Sequence, residues 1–239
     1  LGMSSPLFQY TIKDAEMADC LLVNSHFVKN TFIEFGYPEK KIKIAYLGVR
    51  NDFIGLKTKY CYSGKVQLLF TGSFGFRKGG EYLLQALQIL EKENFQFEMK
   101  IVGDFSEAKS LLLRYPVSSI QLVGFVPQDE LKDFLQNADI YVFPSLSEGC
   151  ASSGMEALAA GLPVIATEES GFPIEHDKDG IIIQSKNAQC IANAIKLLAM
   201  NEPKRSSIGR NATLKIQQYY TWEQYAVKIN KIYHELLYV

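Results

Sequence analysis

Two carboxylates, Glu148 and Glu156, stand eight residues apart in the run SEGCASSGMEALAAGLPV, and the residues between them are mostly small. Gly149 follows the first acid, and Ala151, Ser152, Ser153 and Gly154 lead into the helical stretch that carries the second. Backbone N–H groups at the amino end of a helix lack partners within the helix and sit at its positive pole, so such a turn can cradle a phosphate. A carboxylate cannot do that, but its oxygens accept paired hydrogen bonds from a vicinal diol. The pattern therefore suits sugar hydroxyls on either side of a bound anion. Taken singly, Glu156 also reads as an acidic charge near a helix start and Glu148 as a solvated loop residue.

A second stretch, TGSFGFRKGG (71–80), sets Gly72, Ser73 and Gly75 before the adjacent cations Arg77 and Lys78 and the pair Gly79-Gly80. Glycines let backbone approach an anion closely, and two fixed cations can neutralise a diphosphate without a metal. The spacing matches neither G-x-x-x-x-G-K-[ST] nor G-x-G-x-x-G. Alone, this loop is equally compatible with a plain turn bearing solvated cations. A third stretch, LVGFVPQDE (122–130), carries Phe125 and Val126 between a strand pattern and a helix start, where they also read as core residues.

These loops need a frame, and the surrounding pattern supplies one. Short β-branched or apolar runs at 66–72, 97–103, 119–124, 139–145, 162–167 and 179–184 alternate with amphipathic stretches at 79–92, 106–115, 127–138 and 154–161. That alternation predicts an α/β fold, a doubly wound parallel sheet. Three more helices follow near 187–200, 203–219 and 221–237. In such sheets ligands bind beyond the carboxyl ends of the strands, where all three loaded loops fall.

Residues 1–50 do not fit the same unit. They read as a helix ending near Ala18, a strand CLLVNS, a helix HFVKNTFIEFG and a strand KIKIAYLG, with no glycine-rich first turn. Two strands are too few for a doubly wound sheet. The expectation is a remnant of a preceding domain at 1–50, a linker over 51–65 that opens a nucleotide-binding unit spanning 51–220, and a C-terminal helix in 221–239 packing back on the N-terminal segment. That last helix bears Trp222, Tyr225, Ile229, Ile232 and Leu236 on one apolar stripe, which leaves a membrane-surface contact open.

Composition sets bounds on function. With 239 residues, 47% of them hydrophobic and 21% charged, the chain can bury a sizeable core. A net charge of −1 supplies no field for gathering a polyanion, so nucleic acid is not an expected partner. No apolar run reaches the roughly 18 residues a membrane-spanning helix needs. LGMSSPLFQY lacks the basic head and apolar stretch of a signal peptide, and a cytoplasmic location is expected. Cys20, Cys61, Cys150 and Cys190, like His26, His176 and His234, are scattered, so neither a metal site nor a bound cofactor is expected.

Taken together, FPSLSEGCASSGMEALAAGLPVIAT, TGSFGFRKGGEYLLQAL, IVGD and LVGFVP resemble the C-terminal, donor-binding domain of the group 1 retaining glycosyltransferases, the GT4 family of GT-B fold. The early segment ADCLLVNSHFVKNTFIEFGYPEKKIKIAYLGV resembles the end of that family's acceptor-binding domain. The resemblance implies that Glu156 binds the nucleotide ribose, Glu148 contacts the donor sugar near its reacting carbon, and Lys78 stabilises the diphosphate leaving group. It places Gly72, Ser73, Gly149, Ser152, Ser153 and Gly154 around the donor, and the backbone at Phe125 and Val126 along the nucleobase. Family members often carry arginine where this chain has Ser73, and Arg77 is the candidate for that missing cation. The implied reaction moves a sugar from a nucleoside diphosphate sugar to an acceptor hydroxyl with retention of configuration, this chain being a donor-binding fragment with little transfer activity alone. A sugar-nucleotide epimerase and a non-catalytic homologue kept for assembly are the alternatives.

Overall fold

A computed structural model describes residues 6–62 and 64–237. The first five residues, Ser63 of the expected linker and the last two residues of the C-terminal segment lie outside the described residues, and with them half of the LGMSSPLFQY stretch from which no signal peptide was expected.

The central sheet forms from β3 (Val66–Thr71), β4 (Phe97–Val102), β5 (Ile120–Gly124), β6 (Ile140–Phe143), β7 (Val164–Thr167) and β8 (Ile181–Ile183). All neighbours pair parallel, in the order β5-β4-β3-β6-β7-β8. The chain lays down β3, β4 and β5 outward in one direction, then returns to add β6, β7 and β8 on the other side of β3. The strand order therefore reverses between β3 and β6, and a doubly wound sheet opens its crevice at that switch point. Every residue of β6 and β7 is buried, as expected of strands covered on both faces.

Helices close both faces. α3 (Gly80–Lys92) packs beside α4 (Ala108–Arg114) and α7 (Ala188–Met200), whereas α5 (Gln128–Asn137) packs beside α6 (Ser152–Ala160), which leans on α8 (Glu202–Tyr219). On α3 the apolar spacing works as the sequence suggests: Leu83, Leu84, Leu87 and Leu90 are all fully buried. Burial of each such side chain is worth about 1.5–3 kcal/mol. Helix α6 begins two residues earlier than its apolar pattern implies, at Ser152, and ends at Gly161, whose φ of 89° stops it in the left-handed region.

The N-terminal segment holds α1 (Pro6–Met17), β1 (Leu21–Val23), α2 (His26–Glu34) and β2 (Ile42–Ile44). β1 and β2 form a separate parallel pair. α9 (Trp222–Leu237) returns to this segment: Lys43 pairs with Glu235 at 3.0 Å, Val49 N–H donates to the Tyr220 carbonyl, and the Tyr46 and Tyr220 rings meet edge-on. Its apolar stripe is only partly covered. Ile232 is buried and Tyr225 and Ile229 are half-buried, but Trp222 and Leu236 are exposed. No helix among the described residues is long and apolar enough to cross a membrane.

The stretch read as a linker is not loose. Phe53 and Tyr60 are buried, Gly55 and Lys57 donate backbone N–H groups to the carbonyls of Ala159 and Ala160, and the Tyr60 hydroxyl donates to the Gly161 carbonyl. The Arg205 guanidinium, 1% exposed, donates to the carbonyls of Tyr60, Leu198 and Ala199. Two glycines and several polar residues signal a linker by composition, but the buried Phe53, Lys57 and Tyr60 side chains and the carbonyls of Ala159, Ala160 and Gly161 make it part of the domain.

Candidate functional site

The site assembles at the switch point from the exits of β3 and β6. Gly72 leaves β3 with φ of 116°, a conformation that disfavours any side chain. A Cβ there would also come within 3.1 Å of the Lys78 Nζ, so the ammonium group lies directly over the Gly72 backbone. Gly79, at φ 73°, turns the chain into α3 hard against Pro144, where a Cβ would sit 1.9 Å from the Pro144 carbonyl oxygen. That contact ties the β3 loop to the β6 loop. Leu146 N–H donates to the Arg77 carbonyl, and Glu148 N–H to the Glu169 carbonyl, both at 2.9 Å.

Two cations converge on one carboxylate oxygen. Arg77 Nη1 lies 2.6 Å from Glu148 Oε1 and Lys78 Nζ lies 3.5 Å from the same atom. They differ in setting. The Arg77 side chain is 62% exposed and also donates to the Ser147 carbonyl, whereas Lys78, at 12%, reaches inward and stands 5.1 Å from the centre of the Phe143 ring. Arg77 thus braces Glu148 from outside, and Lys78 presents its charge to the crevice. Ser73 is exposed and makes no side-chain hydrogen bond among the described residues.

Opposite Lys78 stands the amino end of α6. Gly154 N–H donates to the Ala151 carbonyl at 3.2 Å, which leaves the N–H groups of Ser152 and Ser153 as the free donors of the turn. Gly154 is needed for another reason: a Cβ there would strike the Phe172 ring at 1.9 Å. The Ser153 hydroxyl donates to the Thr71 carbonyl at 3.1 Å and receives a bond from the Tyr141 hydroxyl at 3.2 Å. Tyr141 also bonds the Thr71 hydroxyl at 2.9 Å, and burial pushes its own hydroxyl up to about 12. It acts as a neutral strut fixing the end of β3 to the start of α6. Sequence reasoning missed it, because nothing distinguishes Tyr141 from any other aromatic of a buried strand.

Glu156 lies a turn further along α6, half-buried, with no hydrogen bond or ion pair from its carboxylate among the described residues. Burial raises its pKa to about 7; the Arg50 charge opposes the rise and Asp52 adds to it. Both belong to a short turn after β2. Arg50 pairs with Asp52 at 2.5 Å and with the Gln128 side chain, and Lys132 of α5 pairs with Asp52 at 2.7 Å. None of these residues was legible as a site component, since they join Glu156 only through the fold.

Phe125 is 86% exposed, not a core residue, whereas Val126 packs partly against the core. Phe125 borders a hollow of about 390 Å³ at the exits of β4 and β5, shared with Gly103, Asp104, Phe105, Ser106 and Lys109. Among the described residues no three His, Cys, Asp or Glu side chains are placed to hold a metal ion. Cys150, two residues after Glu148, is buried, and burial pushes its thiol up to about 12, which favours the neutral thiol there.

Residues 59–215 match the family model of glycosyl transferases group 1. The chain belongs to this family. A relative with 30% identity, the amylovoran biosynthesis glycosyltransferase AmsK of Erwinia amylovora, aligns with 83% of this chain and 52% of its own length. The chain spans about half the length of the curated relatives it matches. Among solved structures, sucrose-phosphate synthase from Thermosynechococcus elongatus superposes with a TM-score of 0.78 at 22% identity, covering 96% of this chain and 61% of its own. Anabaena Alr3699/HepE, solved in complex with UDP and glucose, gives a TM-score of 0.79 at 19% identity, covering 95% of this chain and 66% of its own. At those identities the likeness concerns the fold, and it agrees with a group 1 glycosyltransferase built on the Rossmann-like half of a GT-B architecture.

Proposed function

We propose that this group 1 glycosyltransferase domain binds a nucleoside diphosphate sugar at the switch point, as the donor half of a retaining, GT4-type hexosyltransferase. The observation that carries the reading is the convergence of Lys78, the Gly72 backbone and the Ser152 and Ser153 amides on one crevice flanked by Glu148. Positive charge from a side chain and from a helix terminus, facing each other across a gap without a bulky residue, suits a diphosphate. Glu156, a half-buried carboxylate with no partner, suits the ribose diol. The hollow beside Phe125 and Phe105 suits the nucleobase.

As the bond between the sugar and the diphosphate breaks, negative charge gathers on the leaving phosphate. A cation already in place there lowers the barrier more than it tightens binding of the intact donor. Lys78 takes that role, and Arg77 holds Glu148 against the sugar end. No metal is required in this scheme. Retention follows from the resemblance of the Glu148 to Glu156 element to the family pattern. The acceptor is an unspecified hydroxyl compound. For these 239 residues alone the proposal is donor binding with little transfer, because joining two substrates needs both walls of a closed cleft.

Thermal-shift titration with UDP, GDP and ADP and their glucose or mannose conjugates tests the reading, since a ligand of the folded state raises the melting temperature by mass action. Stabilisation by one nucleotide family, lost in Lys78→Ala and Glu156→Gln, supports it. No stabilisation by any of them favours a non-catalytic homologue.

A further inference from the structure

The N-terminal segment touches the crevice at one point. β1 ends at Val23, and Asn24 follows immediately, at the carboxyl end of that strand. If Gly149 carried a Cβ, it would lie 2.7 Å from Asn24 Nδ2 and 2.8 Å from Asn24 Oδ1, so the carboxamide lies flat against Gly149, the residue next to Glu148. Asn24 is half-buried, and neither its oxygen nor its nitrogen has a hydrogen-bond partner among the described residues.

Its position is not left to chance. Ser25 is fully buried and caps α2, accepting a bond from the Val28 N–H at 3.1 Å. A Cβ on Gly171 would meet the Gly149 carbonyl oxygen at 2.1 Å and the Ser25 hydroxyl at 3.1 Å. Three loops, at 24–25, 148–149 and 171, are thus stacked without room for another side chain. The Asn24 backbone is held while its carboxamide stays uncommitted, which is the condition under which a hydrogen-bonding group binds a ligand without first being ordered.

The direction of the crevice says what that ligand is. The Glu156 end, with Arg50 and Asp52, takes the ribose; Lys78 and the start of α6 take the diphosphate; Glu148 and Gly149 mark the far end. A group lying across Gly149 therefore faces whatever the diphosphate carries. A carboxamide offers two donors and an acceptor on one plane, which matches neighbouring hydroxyls that must both give and take hydrogen bonds, whereas an anion would use only the donors.

We propose that Asn24 binds hydroxyl groups of the transferred sugar, making the N-terminal segment a contributor to donor specificity. This rests on the donor reading of the same crevice. In the test, calorimetry on the 239-residue chain compares UDP with UDP-glucose, with GDP against GDP-mannose and ADP against ADP-glucose as parallel arms. Asn24→Ala is expected to weaken the sugar conjugate by roughly five- to tenfold while leaving the bare nucleotide within about twofold, the size of one or two net hydrogen bonds. Asn24→Asp, which keeps the shape but loses both donors, should do the same. Gly149→Ala, whose Cβ must displace the carboxamide, should likewise erase the preference for the conjugate.

Equal binding of nucleotide and conjugate by the parent chain, or equal losses for both in Asn24→Ala, overturns the assignment and leaves the nucleotide site standing. Failure of the parent chain to bind any nucleotide removes both. Circular dichroism melts of the three variants separate loss of contact from loss of fold: a variant that melts like the parent and keeps full preference for the conjugate also overturns the assignment.

Discussion

Two lysine–carboxylate pairs sit at opposite ends of the same sheet, and they have opposite fates. At the amino ends of the strands Lys57 lies 3.7 Å from Asp139, with both side chains no more than 6% exposed. At the carboxyl ends Lys78 lies 3.5 Å from Glu148, with side chains 12% and 13% exposed. The distances barely differ. What differs is how much hydrogen bonding is left over. Lys57 also donates to the Ala138 carbonyl, and Asp139 accepts the Gln67 N–H at 2.9 Å, so that pair is closed. Burial lowers the Lys57 pKa, and Asp139 works against the shift. Among the described residues Lys78 has the shared Glu148 oxygen and the Phe143 ring but no carbonyl acceptor, and it faces the Gly72 backbone and the start of α6. A buried pair whose bonds are filled holds structure; a pair with donors to spare, at a crevice, is available to the ligand proposed above.

The sharpest way to break that contrast is to remove each lysine. Lys57→Ala leaves Asp139 buried and uncompensated and should cost about 3–5 kcal/mol in urea unfolding, whereas Lys78→Ala should cost at most about 1 kcal/mol. Similar losses would mean that both pairs are structural. Binding should reverse the order. Lys78→Ala is expected to weaken UDP, or whichever nucleoside diphosphate the chain prefers, by about 10- to 100-fold, and the monophosphate much less, because the lost bond is charge-assisted. Calorimetry with both nucleotides reads this directly.

Glu156 sharpens the contrast through pH. Its folded pKa of about 7 lies above the ordinary 4.5, so the neutral form is favoured by the fold. The stability it contributes is full below about pH 4.5 and is lost as pH rises through about 7. Ribose hydroxyls need the ionised form as acceptor. Nucleotide affinity should therefore climb between pH 6 and 8 while stability from this group declines, with protons released on binding. Glu156→Gln should lower affinity by about tenfold at pH 8 and flatten the pH profile. A pH-independent parent would remove Glu156 from the ribose. The smallest expected effect is that of EDTA: nucleotide binding measured with and without it should agree, since the proposed scheme places the diphosphate charge on Lys78 and the α6 amides.

Much of the sheet was legible in advance. Strands such as Val66–Thr71 and Val164–Thr167, and the helix over Gly80–Lys92, fall within two residues of their expected bounds, because continuous apolar runs and leucines at helical spacing report burial directly. The linker was misread. Phe53, Lys57 and Tyr60 sit among glycines and polar residues, and no period in the chain signals that each of them is seated against α6, α8 or Asp139. Phe125 was left between core and site, and only its exposure ruled out the core.

Of the site, Glu148, Lys78 and the α6 turn could be singled out in the sequence because few residue patterns suit phosphate and diol chemistry, and the fold does bring them together. Which groups remain available was not legible. That Arg77 spends its charge on Glu148, that the Gly154 amide is already bonded, that Tyr141 locks Ser153, and that Asn24 lies free against Gly149 are all consequences of chain segments far apart in sequence meeting at the reversal of strand order. Sequence specifies donors and acceptors locally, residue by residue. Whether a donor is satisfied depends on the nearest acceptor in space, and only the packed tertiary structure sets that distance.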